Sequence, residues 1–181
     1  MIKFNPVKTT DTSYAFVENL LHESFPEEER RDDDMQRYNT DNNPLFTTYL
    51  ITDDAEYIGL ITLWRLSGFL YVEHLATSPS VRNKGYGKMI MQALLKNFPD
   101  SKIVLEVELP EDELSKRRIG FYERNGFILC EKPYMQPPYR KSGSPIPMYI
   151  MFSGADSING MFDTITVSYT HLRAHETAAN L

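Results

Sequence analysis

The sequence predicts an α/β fold of the α+β type: a mixed, mostly antiparallel sheet of about seven strands with helices on both faces. Three observations lead there. Short β-branched and aromatic runs alternate with helical apolar stripes in the order β-α-α-β-β-β-α-β-α-β-β. The chain has 181 residues, 41% hydrophobic and 24% charged, enough for one domain with a sizeable core. No apolar run approaches the roughly 20 residues that a membrane helix needs.

The elements follow in chain order. Ile2 to Val7 reads as a first strand. Thr10-Asp11 offers a helix N-cap, and Val17, Leu20, Leu21 and Phe25 follow at helical spacing until Pro26 ends the run. Glu27 to Arg37 is densely charged and reads as a short helix on the surface. Leu45 to Thr52 and Tyr57 to Leu66 read as a hairpin joined at Asp53-Asp54-Ala55-Glu56, and Phe69 to Ala76 as the next strand. Ile90, Met91, Leu94, Leu95 and Phe98 form a helical stripe ending at Pro99. Lys102 to Leu109 is a strand. Pro110-Glu111-Asp112-Glu113 opens a helix with acids in its first turn, and Asn125-Gly126 closes it. Phe127 to Cys130 and Met148 to Phe152 are the last strands, separated by a long proline-rich loop.

Composition excludes several function classes. The formal charge of −6 argues against a nucleic-acid binder, which needs a basic surface. Cys130 is the single cysteine, so neither an intrachain disulfide nor a cysteine metal cluster can form. The N-terminus lacks an apolar signal core. These features predict a cytoplasmic protein with no metal and no membrane or nucleic-acid partner, and leave room for a homodimer.

The segment Ser80-Val81-Arg82-Asn83-Lys84-Gly85-Tyr86-Gly87-Lys88 carries the clearest functional signal. Two glycines and several cations stand where a helix should begin. A helix N-terminus already carries positive partial charge, so cations there cost about 0.3–1 kcal/mol each. A polyanion such as a pyrophosphate would turn that cost into binding. A P-loop is excluded because Met89 follows Gly87-Lys88. A dinucleotide fingerprint is weakened because Ile90 stands at the third glycine, although Glu106 falls near the expected ribose-binding acid.

A third pattern, Arg/Gln-x-x-Gly-x-Gly/Ala, matches Arg82-Asn83-Lys84-Gly85-Tyr86-Gly87 fully. With Ser115-Lys116-Arg117-Arg118-Ile119-Gly120-Phe121-Tyr122-Glu123-Arg124-Asn125-Gly126-Phe127 downstream, residues 1–153 resemble the GNAT superfamily of acyl-CoA-dependent N-acetyltransferases. Departures from the family pattern are Ser115, where Asn is frequent, and Arg118, where Ala is. The resemblance implies transfer of an acetyl group from acetyl-CoA to a small-molecule or peptide amine by direct attack in a ternary complex. It also implies that Arg82, Asn83, Lys84, Gly85, Tyr86, Gly87 and Lys88 hold the phosphates. Leu75, Ala76 and Thr77 would hold the pantetheine arm, with Ser115 a further contact. Tyr122 would donate a proton to the departing thiolate. An acyl-CoA-binding sensor without catalysis is the alternative from another class, and a nicotinamide-dependent oxidoreductase a distant third.

An alkyl ammonium is mostly protonated at pH 7, so a general base is useful. Glu73 is the first candidate. Regular alternation puts it on one strand face with Phe69, Tyr71 and Leu75, and His74 on the other unless a bulge intervenes. Glu106 and Glu108 are second choices. Glu27 to Glu29, Glu73, Glu106, Glu108, Glu111 and Asp112 could line an acidic groove for a cationic acceptor, with Trp64, Tyr71, Tyr134 and Tyr139 adding cation–π contacts.

Residues 167–181, beginning Val167-Ser168-Tyr169-Thr170-His171-Leu172-Arg173-Ala174-His175, resemble a translated sequencing-library adapter. That resemblance implies a foreign segment, to be kept out of fold reasoning, with 154–166 as the stub of a longer one. It also removes two of the four histidines, His171 and His175, from any metal site.

Overall fold

The computed structural model describes residues 1–178, with side chains through residue 174. In chain order the elements are β1 (Ile2–Pro6), α1 (Tyr14–Ser24), α2 (Asp33–Asn42), β2 (Phe46–Asp53), β3 (Glu56–Leu66), β4 (Phe69–Thr77), α3 (Tyr86–Asn97), β5 (Ile103–Glu108), α4 (Glu113–Arg124), β6 (Ile128–Gln136), β7 (Ile146–Ser153) and α5 (Phe162–Ala178). The strands form one seven-stranded sheet in the order β1-β2-β3-β4-β5-β7-β6. Every pairing is antiparallel except β4 with β5. The mixed, mostly antiparallel sheet and its seven strands are therefore as the sequence predicts.

Period-two alternation in the strands divides the core between two faces. On one face Ile61, Leu63, Leu70, Val72, Leu105 and Val107 pack against Ile90, Met91 and Leu94 of α3 and Ile119 of α4. On the other, Leu50, Leu60 and Ala76 meet Val17, Leu20 and Leu21 of α1. That same face carries Trp64, Tyr71, Val104 and Ile150 against Phe162, Ile165 and Tyr169 of α5. The β2–β3 hairpin turns at Asp54-Ala55, where Asp54 takes a positive φ of 51°.

Four details differ from expectation. The N-cap position of α1 is Ser13, without a side-chain cap; Asp11 Oδ2 instead accepts the Lys8 N–H at 2.7 Å in the preceding turn. The charged run 27–37 is not a surface helix. A 3₁₀ turn at Glu27–Glu29 is followed by Arg31, which is buried, and then by α2, which buries Gln36, Asn39 and Thr40. β6 extends to Gln136 across a register shift between Cys130 and Tyr134, so the loop before β7 shortens to residues 137–145. Finally, the adapter-like segment does not trail away from the domain. Residues 162–178 form α5, with Tyr169 and Arg173 buried, while the side chain of His175 and residues 179–181 lie outside the described residues.

Gly59 on β3 lies under the Ala76 backbone, and a Cβ there would sit against the Ala76 carbonyl oxygen well inside van der Waals contact. Gly160 has open space around it. Gly59→Ala is expected to destabilise the fold by about 1–3 kcal/mol, and Gly160→Ala by less than about 0.5 kcal/mol. Urea unfolding of the two variants beside wild type measures both.

Candidate active site

The parallel pairing of β4 with β5 is short. Leu70, Tyr71 and Val72 pair with Ile103, Val104 and Leu105, and there the ladder ends. β4 continues to Thr77 and β5 to Glu108 without pairing to each other. The sheet splays at this point and leaves one edge of residues 73–77 without a strand partner. Glu73 is half-buried as a residue, yet its side chain is only 1% exposed. The exposure therefore lies in its main chain.

A bulge marks where the splay begins. Thr62 pairs with His74 and Leu63 with Val72, so Glu73 is the extra residue. Its side chain keeps to the face of Phe69 and Tyr71. The inserted residue turns His74 onto that same face and sends Leu75 to the other, where it packs on the α3 side. The expected grouping of Glu73 with Leu75, and of His74 opposite, is thus reversed beyond Glu73, for the reason that a bulge shifts the alternation by one.

A cleft of about 700 Å³ passes through the sheet at the splay. Its walls include residues 72–77 of β4, Leu105, Glu106 and Glu108 of β5, and Arg118 and Tyr122 of α4. On the other face it is bounded by Phe25, Pro26 and Glu29 from the α1–α2 connection and by Tyr139. Arg82 reaches it from the loop before α3.

That loop leaves backbone donors and cations exposed together. Pro79–Val81 makes a 3₁₀ turn, Asn83 takes φ 62°, and Gly85 takes φ 83° as the N-cap of α3. Only glycine adopts the Gly85 conformation without strain. No side chain caps α3, so its first N–H groups point outward without intrahelical partners. Arg82, Asn83, Lys84 and Lys88 are exposed around them. Gly87 also sets the approach of α3 to α4, because a Cβ there would lie 3.2 Å from the Phe121 ring. The Tyr86 hydroxyl donates to Asp53 at 3.1 Å, which leaves only its main chain for a ligand.

The chemistry-bearing side chains differ sharply in their surroundings. Tyr122 is half-buried beside Phe121 and Phe127, and its hydroxyl makes no hydrogen bond among the described residues. Burial pushes its pKa up, so it stays protonated and can act as a donor. Glu73 is ion-paired to the buried Arg31. Burial alone would raise its pKa, but the Arg31 guanidinium, helped by His74, holds the carboxyl well below the usual range. Arg31 also donates to Gln36 at 2.6 Å and lies over the rings of Phe46, Trp64 and Tyr139.

His74 sits 3.7 Å from Glu73, with Nε2 2.8 Å from the Glu29 carbonyl oxygen, to which it donates. Desolvation brings its pKa down to about 4. Glu106 shares the face of Glu73. It accepts from Tyr71 at 2.9 Å and from Gln136, and burial pushes its pKa up. Glu108 is ion-paired to Arg118.

The expected residues thus fall into two groups. Leu75, Ala76, Thr77, Arg82, Glu73, Glu106, Glu108 and Tyr122 meet at one cleft, with Asn83 to Lys88 adjoining it. Ser115 does not join them. Its hydroxyl is engaged with Asp112 in the capping box of α4, where Asp112 Oδ1 accepts the Ser115 N–H at 2.7 Å. Of the aromatics proposed for an acceptor groove, Tyr139 lines the cleft, whereas Trp64 and Tyr71 are buried in the core. Asp112 is an N-cap, and Glu27, Glu28 and Glu111 lie off the lining. Arg31 and Gln136 are the functional neighbours that sequence reasoning missed. Nothing in an acidic run distinguishes the one arginine that turns inward. No group of three or more His, Cys, Asp or Glu able to hold a metal occurs among the described residues. No helix among them is long and apolar enough to cross a membrane.

The sheet is splayed beside a glycine-opened helix, with a tyrosine on the next helix. The sequence pattern of the Acetyltransferase (GNAT) family matches residues 14–127. The chain belongs to this family and is an acetyltransferase. No curated protein matches it. Among solved structures, a putative GNAT-family acetyltransferase from Bacteroides thetaiotaomicron is 45% identical, with TM-score 0.88, covering 92% of this chain and 94% of that one. A chimera based on the Vibrio cholerae spermidine N-acetyltransferase is 19% identical, with TM-score 0.62 over 84% of this chain and 94% of that one. The ribosomal-protein-S18-alanine N-acetyltransferase of Escherichia coli is 17% identical, with TM-score 0.60 over 88% and 98%. These last two share the fold.

The depressed pKa of His74 has a pH signature. Below about pH 6.5 the unfolded chain binds a proton that the folded protein refuses until about pH 4, so stability falls as pH drops through that window. Between pH 6.5 and 5 the loss amounts to about 2 kcal/mol. Urea unfolding at pH 7 and 5 is expected to show this slope in wild type and to lose it in His74→Asn, whatever the overall stability of the variant.

Proposed function

We propose that this protein transfers the acetyl group of acetyl-CoA directly to an amine seated on the Glu73 side of the cleft. The observation that carries the reading is the splay itself. It joins, in one cleft, the free backbone edge of residues 73–77, Arg82 before the α3 N-terminus, the Tyr122 hydroxyl and a set of carboxylates.

The residues fit the donor. The N–H groups opening α3, made accessible by Gly85 and Gly87, bind the pyrophosphate, and Arg82, Lys84 and Lys88 add charge. Asn83 and Tyr86 contribute main-chain shape to that loop. The unpaired edge at Leu75, Ala76 and Thr77 accepts the pantetheine arm as a further strand would pair, and one of its N–H groups polarises the thioester carbonyl. Acetyl-CoA supplies an activated acyl group on a good leaving thiol.

On the protein side, Tyr122 gives its proton to the departing sulfur. Glu73, kept ionised by Arg31, serves as the fixed negative charge that orders the ammonium or its bridging water. A carboxylate held so far down is a weak proton acceptor on its own. The amine's proton therefore leaves through the bridging water to solvent, and Glu106, on the same face, is not assigned as the base. The cytoplasm is the proposed compartment. Residues 167–181 remain assigned to adapter sequence, and reading the source DNA tests that; the cleft lining comes from residues 1–153, with Arg173 standing behind it against Glu106 and Tyr139.

Two measurements test the reading. Tyr122→Phe is expected to lower kcat by about 100-fold while acetyl-CoA affinity by calorimetry stays within about twofold; unchanged turnover removes Tyr122 from the mechanism. Gly85→Val, which forces a β-branched residue into φ 83°, and Arg82→Ala are each expected to weaken acetyl-CoA binding about tenfold or more. Full affinity in both would defeat the phosphate-loop assignment.

A further inference from the structure

The charges around the cleft do not cancel evenly. Glu73 is matched by Arg31, and Glu108 by Arg118. Arg82 stands at the phosphate end. Arg140 is turned away, donating to the Glu27 carbonyl at 3.0 Å. Glu23 and Glu29 line the cleft with no ion pair among the described residues, and Glu106 has one only from Arg173, which stands behind the wall. Arg173 of α5 approaches Glu106 Oε2 at 3.6 Å, but its guanidinium donates to Pro137 O at 2.6 Å and to the Tyr71 hydroxyl at 3.2 Å.

A second, independent feature accompanies this imbalance. The Glu106 side chain is only 6% exposed, and its Oε1 is buried with no hydrogen-bond partner among the described residues. Glu73 Oε2, 3.7 Å from His74 Nδ1, and Ser24 Oγ, on two further residues of the same cleft, are likewise buried and without a hydrogen bond among the described residues. All three atoms can accept a hydrogen bond, and both carboxylate oxygens can only accept. Buried polar atoms are ordinarily satisfied, and an orphan calls for a missing partner. A partner that satisfies several acceptors of negative sign is a donor-rich cation. An alkylammonium has three N–H donors and a positive charge. Tyr139 and Phe25 supply apolar walls for a methylene chain.

We propose that Glu106 is the acceptor-recognition residue, and that the acceptor is an alkyl diamine or longer polyamine whose second ammonium binds at Glu106. This rests on the acetyl-transfer reading above. One ammonium gives a proton to water and attacks the acetyl carbon as the neutral amine; a C–N bond forms, the C–S bond breaks, the sulfur takes its proton from Tyr122, and the second proton shed by the nitrogen returns through water to the Tyr122 oxygen. The other ammonium stays charged at Glu106. An acceptor bearing a carboxylate there would meet Glu106 and Glu29 instead.

Three amines of equal chain length separate the cases: 1,4-diaminobutane, butylamine and 4-aminobutyrate, assayed by CoA thiol release with the full chain. The expected order of kcat/KM is diamine over butylamine by about tenfold or more, with aminobutyrate last. In Glu106→Gln the diamine should fall to the butylamine rate, while KM for acetyl-CoA stays within about twofold of wild type. Equal wild-type rates for diamine and butylamine, as expected if an internal water satisfies Oε1, would overturn the proposal. So would a diamine preference that survives in Glu106→Gln. If that variant does not fold, the wild-type series alone decides. Acetyl-CoA binding without thiol release from any of the three amines overturns the acetyl-transfer reading as well, whereas release without charge preference overturns this proposal alone.

Discussion

The buried pair of Arg31 with Glu73 is the constraint on which the site depends. It sits where β4 leaves β5, on the bulged residue that starts the divergence. A strand edge that turns away from its neighbour exposes N–H and C=O groups, and a sheet normally avoids this. Here the inserted residue shifts the β3–β4 register just past the last β4–β5 pair, and its carboxylate is fixed by a cation from the α1–α2 connection. Removing one member of such a pair leaves a buried charge and costs about 3–5 kcal/mol. The gap is thus anchored by charge on one side and by hydrophobic packing of Leu75 on the other.

The two ends of the cleft are made in different ways. The proposed donor end uses backbone: the opening turn of α3, the left-handed Gly85 and the unpaired edge of β4. Such a site recognises phosphate and amide groups through main-chain geometry, so its sequence requirement is a few glycines and cations. The proposed acceptor end uses side chains from segments distant in sequence, namely Phe25 and Glu29, Glu106, and Tyr139. Its specificity therefore depends on tertiary packing.

That division explains what the sequence showed and what it concealed. The fold was legible because periodicity is a local signal, and the glycine loop because its backbone requirement leaves glycines at fixed spacing. The position of Tyr122 on the cleft was legible by its place in a helix motif. The alternation at Glu73 was misread past one residue, since a bulge shifts every later side chain to the opposite face and leaves no compositional mark. Arg31 was invisible because it stands between two acidic triplets, Glu27 to Glu29 and Asp32 to Asp34, and its burial comes from Phe46, Trp64 and Tyr139. Ser115 matched a binding position in sequence, yet the capping box it completes with Asp112 engages its hydroxyl.

The docking of Arg140 has a consequence for how the acceptor end can vary. Through Arg140 the β6–β7 loop grips the Glu27 carbonyl of the α1–α2 connection, at a separation of 113 residues. Tyr139, its neighbour, stacks on His74, whose Nε2 in turn holds the Glu29 carbonyl. Two loops that meet this way form one mechanical unit spanning the cleft mouth. A substitution in either would be felt in both, so the two segments would have to change together when a relative adopts a different acceptor. The donor end, held by strands and a helix terminus, could stay as it is.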